Sequence, residues 1–494
     1  MTAQQADPAG DDGAPRFRGR KNGAYREVSD ELAAWMRTGW ADTERRDLAP
    51  LEQAPYAAKR RAALSARYPG ERLVVPAGPL KTRSNDTEYR FRAASDYVHL
   101  TGDQTPDACL VLEPRPGGGH DATAYLLPRS DRGNGEFWLD GQGELWVGRR
   151  NSLTEAERLL GLPCRDVRTL PEVLRAAAPA PVRVAPGHDP ALEAVLAEVR
   201  PGTTEQAAAA DTELQEFLHD QRLVKDDWEI GQLQAAVDTT VRGFADVVRA
   251  LPQAVATSER YIEGTFNLRA RVEGNDVGYS TIAAAGPHAT TLHWVHNDGP
   301  VRPGELLLLD AGVETHTLYT ADVTRTLPVS GTFTPVQRQV YDLVYAAQQA
   351  GIDAVAPGRP VADYHRAAQR VLAEGLIAWG LLEGPLERVL ELGLQRRYTL
   401  HGTGHMLGLD VHDCAEARTD AYHDGTLEPG MALTVEPGLY FQPDDLTVPE
   451  HLRGIGVRIE DDVLVTPDGN RNLSAALPRT ADEVEAWMAQ IAGG

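Results

Sequence analysis

The sequence predicts an α+β protein in two parts, a smaller α/β domain followed by a larger α+β domain. Three observations lead there. The chain has 494 residues, too long for one ordinary core. Its first two hundred or so residues alternate short apolar runs with helical patterns, the runs bounded by glycines and charges. Beyond them, long amphipathic helices precede apolar strands that end on acids.

Residues 1–24 combine proline, glycine, glutamine and charge without periodicity and are expected to form a disordered tail. Helices are predicted at 29–37 and 51–68, then strands at 72–75, 108–112, 123–127, 144–147 and 182–185. Helices at 152–160 and 170–177 lie between those strands. This alternation makes 25–220 an N-terminal α/β domain, closed by an alanine-rich, acidic connecting helix at 197–227. Its 86–101 stretch is the one candidate for a wall of a neighbouring subunit's site. The C-terminal domain, 221–494, opens with amphipathic helices at 227–251 and 258–271 and a short strand at 279–283. Further helices are expected at 341–355 and 361–379. Pro303-Gly304 and Pro429-Gly430 each feed an apolar strand that ends in an acid, Asp310 and Glu436, which reads as a repeated layout.

Composition removes several functions. A formal net charge of -23 repels phosphate backbones and anionic lipid, so neither nucleic acid nor membrane is an expected partner. No apolar run approaches a membrane span, and residues 1–15 lack the apolar centre of a signal peptide. Cys109, Cys164 and Cys414 match no zinc or redox spacing, and a reducing, cytoplasmic setting is expected.

The chemistry concentrates between 306 and 464. Asp310, Asp322, Glu436 and Glu460 sit on or beside apolar strands, and burying four carboxylates is prohibitive without compensating positive charge. Two divalent cations supply it, so the chain reads as a metal-dependent hydrolase. His405 is the best nitrogen donor, because the glycines around it let the backbone approach closely. One imidazole among oxygen donors shifts the preference toward manganese, iron, cobalt or zinc. A hairpin of 307–313 and 318–326 would bring Asp310 and Asp322 onto adjacent strands. Arg458 and Glu460, two apart in a strand, emerge on one face with Asp462, whereas Asp461 points away and is expected to tolerate alanine with most activity retained.

The run His401-Gly-Thr-Gly-His405-Met-Leu-Gly-Leu-Asp-Val-His412-Asp413 resembles the central motif of the proline-specific aminopeptidases, of the pita-bread metallopeptidase superfamily. Asp310-Ala-Gly, Asp322-Val-Thr-Arg-Thr, Glu436-Pro-Gly-Leu-Tyr and Gly454-Ile-Gly-Val-Arg-Ile-Glu460-Asp-Asp resemble its other blocks, in the family's order. The resemblance covers the C-terminal domain and reaches the first through Arg92-Ala-Ala-Ser-Asp-Tyr-Val-His-Leu-Thr-Gly102. It implies a pita-bread (creatinase/aminopeptidase-like) catalytic domain preceded by a creatinase N-terminal-like domain. It also implies metal ligation by Asp310, Asp322, His405, Glu436 and Glu460, with manganese as the usual metal. His293 matches the histidine near the scissile bond, His401 one lining the substrate pocket, and His412 one beside the metals and the proline-side pocket. Arg458 matches the arginine before the last glutamate. The gap between Asp310 and Asp322 is one residue longer than the family's, an insertion assigned to the turn near Leu318 and Tyr319.

The implied activity is hydrolysis of the N-terminal Xaa-Pro bond of short peptides with proline second, by a hydroxide bridging two divalent metals. Glu436 is expected as general base and proton shuttle, His293 as donor to the oxyanion, and His412 or His401 as an alternative proton source. Tyr440, Trp294 and Met406 are candidate apolar walls for the proline ring. A homodimer or homotetramer is implied. The rival readings are an Xaa-Pro dipeptidase (prolidase) and a catalytically inactive binding protein of the same fold.

Overall fold

Where the chain folds locally follows from its punctuation. Ser152 caps the helix Leu153–Leu160 and Glu155 returns the bond, a complete capping box; Asp226 and Glu229 do the same for Asp227–Ala256, as do Thr334 and Gln337 for Pro335–Ala354. The structure, a computed structural model, describes residues 29–177, 179–200 and 202–493, so the tail expected at 1–24 lies outside the described residues. Contacts divide the chain into two units, Met1–Ala208 and Ala209–Gly494. This division and the sequence boundary at 220 both fall within the helix Thr204–Leu223, whose continuous backbone carries no break to mark a border.

The first unit holds a five-stranded mixed sheet, ordered Cys164–Asp166, His120–Leu126, Cys109–Pro114, Arg72–Pro76 and Val182–Val184. The central pairs are antiparallel and both edges are parallel. Val74, Val111 and Tyr125 meet Leu174 and Leu196 in its core. The strand expected at 144–147 is instead the helical turn Glu144–Val147. Four residues between Gly143 and Gly148 are too few for periodicity to decide. The tertiary contacts of Glu144 decide instead: Ser130 Oγ accepts its N–H at 3.0 Å, and its carboxylate meets Arg129.

The second unit repeats one plan. The helices Asp227–Ala256 and Glu259–Glu273 precede an antiparallel sheet of Ile282–Ala285, Leu306–Ala311 and Val323–Pro328. The helices Pro335–Ala354 and Ala362–Ala378 then precede a second antiparallel sheet of Ala432–Val435, Asp461–Thr466 and Gly469–Asn472. A two-stranded ribbon, Gly438–Tyr440 with Gly456–Arg458, completes the strand frame around the acids. The paired layout seen in the two Pro-Gly turns is therefore structural. Asp310 and Asp322 belong to the first half of the plan, Glu436 and Glu460 to the second.

Register decides which acids meet. Leu308 pairs with Thr326 and Asp310 with Thr324, so Asp322 lies just before the strand that flanks Asp310. In the turn before Asp322, Leu318 adopts φ 69°, a left-handed conformation that costs a leucine about 1 kcal/mol or more. The expected strand at 318–326 accordingly begins only at Val323. From the second half, the Glu460 N–H donates to Thr324 O at 3.1 Å, which joins the two sets of carboxylates.

Candidate metal centre

All five predicted ligands line one cleft of about 550 Å³, together with His293, His401, His412 and Arg458. Single donor atoms of Asp322, His405 and Glu460 lie within 4.8 Å of one another. Asp310 and Glu436 stand in the same cleft wall. Gly404 explains how His405 arrives there: a Cβ on it would lie 1.9 Å from Thr434 O, so only glycine lets this loop reach the strand. The His405 N–H then donates to Thr434 Oγ1 at 3.1 Å and its carbonyl accepts from Thr434 N at 2.9 Å.

The imidazole of His405 is oriented for ligation. Its Nδ1 lies 3.1 Å from Met406 O, and a carbonyl can only accept, so Nδ1 carries a proton. That leaves Nε2 facing Asp322 Oδ2 at 3.3 Å and Glu436 Oε1 at 3.6 Å. A backbone carbonyl fixing one ring nitrogen while the other faces the site is the usual support of a metal-bound histidine. His412 meets this ring edge-on, with centroids 4.2 Å apart.

Electrostatics show a site short of positive charge. Burial pushes the Glu436 carboxyl up to about 7, aided by Asp322 and opposed by His405. Glu460 is held well above the ordinary carboxylate range by burial and then by Asp322 and Glu436. Asp310 is also raised by burial, although Arg458 opposes it. Burial disfavours a charged His405 ring, yet the ring's bond to the Asp322 carboxylate and the charge of Glu436 win and raise it to about 9. In the metal-free chain His405 and Arg458 thus face the carboxylates as the positive partners. Oxygen donors with one imidazole suit a divalent ion of the manganese, iron, cobalt or zinc kind, so these residues fit the group.

Around the acids lies a hydrogen-bonded frame, part of which the sequence reading missed. Tyr279 donates its hydroxyl to Asp310 Oδ1 at 2.6 Å and also meets Asp322 Oδ1 at 2.5 Å. Thr324 Oγ1 donates to Glu460 Oε2 at 2.6 Å, and Thr326 Oγ1 to Arg458 O at 3.0 Å. Thr324 had a signal, since it is two residues from Asp322 on an extended segment. Tyr279 had none, because its partners are distant in sequence. Arg458 donates to Asp310 Oδ2 at 2.5 Å and to the Tyr440 hydroxyl at 2.9 Å, and that hydroxyl lies 2.8 Å from His401 Nε2. Burial and Arg458 lower His401 to about 3, so it is a neutral imidazole. Burial, followed by His405, also lowers His412.

Two expectations need correction. Ile282, Leu292, Val295 and Val411 form the apolar lining, in place of Tyr440, Trp294 and Met406. Trp294 stacks on His288 and Met406 packs in the core. Asp461 does point away from the cleft, but it is fully buried against Arg325 at 2.7 Å, Ser474 and Gln348. Alanine there would take the carboxylate from the buried Arg325 guanidinium, so the expected tolerance has to be set against a loss of stability. Asp462 stays on the cleft side, where it accepts the Asp322 N–H at 3.1 Å.

Paired carboxylates around one oriented imidazole, presented by a twice-used helix-and-sheet plan, define a metal-dependent hydrolase of the pita-bread kind. Residues 231–467 match the model of metallopeptidase family M24, and 57–182 match the aminopeptidase P N-terminal domain. Xaa-Pro aminopeptidase 1 of Streptomyces coelicolor is 70% identical over 474 residues, 96% of this chain and 95% of that one. Xaa-Pro aminopeptidase of Escherichia coli is 32% identical over 89% of this chain and 99% of its own. The structure of aminopeptidase P from E. coli with the inhibitor Pro-Leu superposes with a TM-score of 0.80 at 30% identity, covering 90% of this chain and all of that one. The chain belongs to the Xaa-Pro aminopeptidases of metallopeptidase family M24. It is an enzyme, a metal-dependent aminopeptidase, and among the described residues no helix is long and apolar enough to cross a membrane.

Proposed function

We propose that this chain removes the first residue from short peptides with proline second, using two divalent ions, manganese by preference. The observation that supports it is the convergence of Asp310, Asp322, His405, Glu436 and Glu460 on one cleft. When bound, such ions acidify the attacking water and polarise the scissile carbonyl. Glu436 takes the proton of that water and passes it to the proline nitrogen, which must be protonated because it leaves as an amine. As a carboxylate in the cleft wall beside His405 and Asp322, it stands where the attacking water and the leaving nitrogen would both be in reach. His293 donates to the developing oxyanion, and a donor of that kind contributes about 100- to 1,000-fold. His401 lines the substrate pocket as a neutral ring held by Tyr440. His412 stands on the proline side, beside His405. Arg458 keeps Asp310 and the Tyr440 hydroxyl in place.

Proline has no N–H and restricts the residue before it, so ordinary peptidase sites reject the bond. The apolar lining by Ile282, Leu292, Val295 and Val411 suits a pyrrolidine ring. We further infer a homodimer or homotetramer, which solution mass tests, and a cytoplasmic setting, which the three buried free thiols support. The deciding assay strips metal by chelation, restores manganese, and compares an Xaa-Pro dipeptide with an Xaa-Pro-Xaa tripeptide. Return of tripeptide cleavage at the first bond supports the aminopeptidase reading. Cleavage of the dipeptide alone would mean a prolidase, and full activity without metal would end the proposal.

A further inference from the structure

The loop between the strand Ile282–Ala285 and Gly299 carries His293, whose side chain lines the cleft while lying largely exposed. An exposed side chain on a long connection needs something to hold it. Asn297 supplies one hold: its side chain accepts from Ala283 N at 2.9 Å and donates to Thr281 O at 2.8 Å. The stronger hold is Glu259, the first residue of the helix Glu259–Glu273, whose side chain is fully buried.

Each oxygen of that carboxylate takes two N–H groups. Oε1 accepts from Ala285 N at 2.8 Å and from His288 Nδ1 at 2.8 Å. Oε2 accepts from Trp294 Nε1 at 2.8 Å and from Gly299 N at 2.7 Å. The carboxylate's acceptor sites are thus taken up, and the helix N-terminus favours the negative charge. The four donors are not scattered: Ala285 and Gly299 are the two feet of the loop, and Trp294 is the neighbour of His293. The Trp294 ring is further stacked on His288, with centroids 3.9 Å apart. Gly299 is needed for this, since a Cβ there would lie 2.3 Å from His288 Cε1 and 3.0 Å from Glu259 Oε2. Glu259 therefore fixes where the loop starts, where it ends, and which way the residue beside His293 faces.

We propose that Glu259 is a positioning residue for His293, acting on catalysis through the geometry of this loop. The proposal rests on the reading of His293 as the oxyanion donor. A misplacement of about 1 Å in such a group costs on the order of 100-fold in rate, so the effect falls on kcat and not on metal retention.

The test uses the manganese-loaded full chain with an Xaa-Pro-Xaa tripeptide, and compares E259Q, H293A and the double variant. Glutamine keeps the shape but turns an NH2 group against two N–H donors. The expected result is a fall in kcat of roughly 10- to 100-fold for E259Q, with KM and bound manganese unchanged. In the H293A background the same substitution changes kcat by less than about twofold, as expected for two residues acting through one contact. Trp294→Phe removes a single donor and decides the matter if E259Q does not fold: it should show a smaller kcat loss that likewise vanishes without His293. An E259Q enzyme with normal kcat, or an equal loss with and without His293, overturns the proposal. A fully active H293A overturns the role of His293 itself, and this inference falls with it.

Discussion

Glu460 and Asp461 are neighbours in sequence and opposites in electrostatics. Glu460 faces the cleft, where Thr324 is a neutral donor to it and burial with nearby carboxylates holds it well above the ordinary range. Asp461 faces the other side of the sheet, where Arg325 and Arg479 bring full positive charge to it. The strand across from them repeats the division. Thr324 and Thr326 reach toward the cleft side, while Arg325 between them is buried with donors to Asp461, Glu460 O and Leu477 O. One side of this strand frame therefore neutralises its acid with arginines, while the cleft side, even with Arg458 on Asp310, is left short of positive charge where the reaction is run. The deficit is what a pair of divalent ions would fill.

Substitutions on the two faces should fail in different ways. Glu436→Ala gives the largest effect: turnover falls at least about 1,000-fold, with the circular dichroism spectrum retained. Asp461→Ala leaves the buried Arg325 guanidinium without a carboxylate and should cost about 3–5 kcal/mol of stability, read as a large drop in Tm. Equal melting behaviour in the two variants would erase the distinction between the faces. Tyr279→Phe removes the hydroxyl shared by Asp310 and Asp322 and should weaken manganese binding about 10- to 100-fold, measured by titration calorimetry.

The smallest effect concerns pH. In the metal-free protein Glu436 is raised to about 7 from an ordinary 4.5, so between those values the folded state holds more protons than the unfolded one. Stability must then fall as pH rises through that window. His405, raised to about 9 from 6.5, acts in the same direction: its contribution is complete below 6.5 and lost as pH climbs to about 9. The metal-free Tm should decline steadily from pH about 5 to about 9, and bound manganese should flatten the decline. A metal-free Tm that rises over this range would contradict the charge deficit.

Much of this division was legible in the sequence, for a physical reason. Acids at the ends of apolar strands carry a two-residue period, so the facing of Arg458, Glu460 and Asp462 could be read directly. Helices with complete caps, such as Asp227–Ala256, were equally plain. What escaped were features that depend on distant partners. Tyr279 gives no local sign of reaching two aspartates, and Glu144–Val147 takes its form from Ser130 and Arg129. Asp461 was assigned the correct face but not its part in stability, because periodicity says where a side chain points and nothing about Arg325 waiting there.

The most direct measurement is the manganese content of fully active protein, set beside that of Glu460→Gln. The account predicts two ions per chain in the active enzyme, and loss of metal together with tripeptide cleavage in the variant. Full activity with no divalent ion bound, or two ions retained after Glu460 is neutralised, would contradict it.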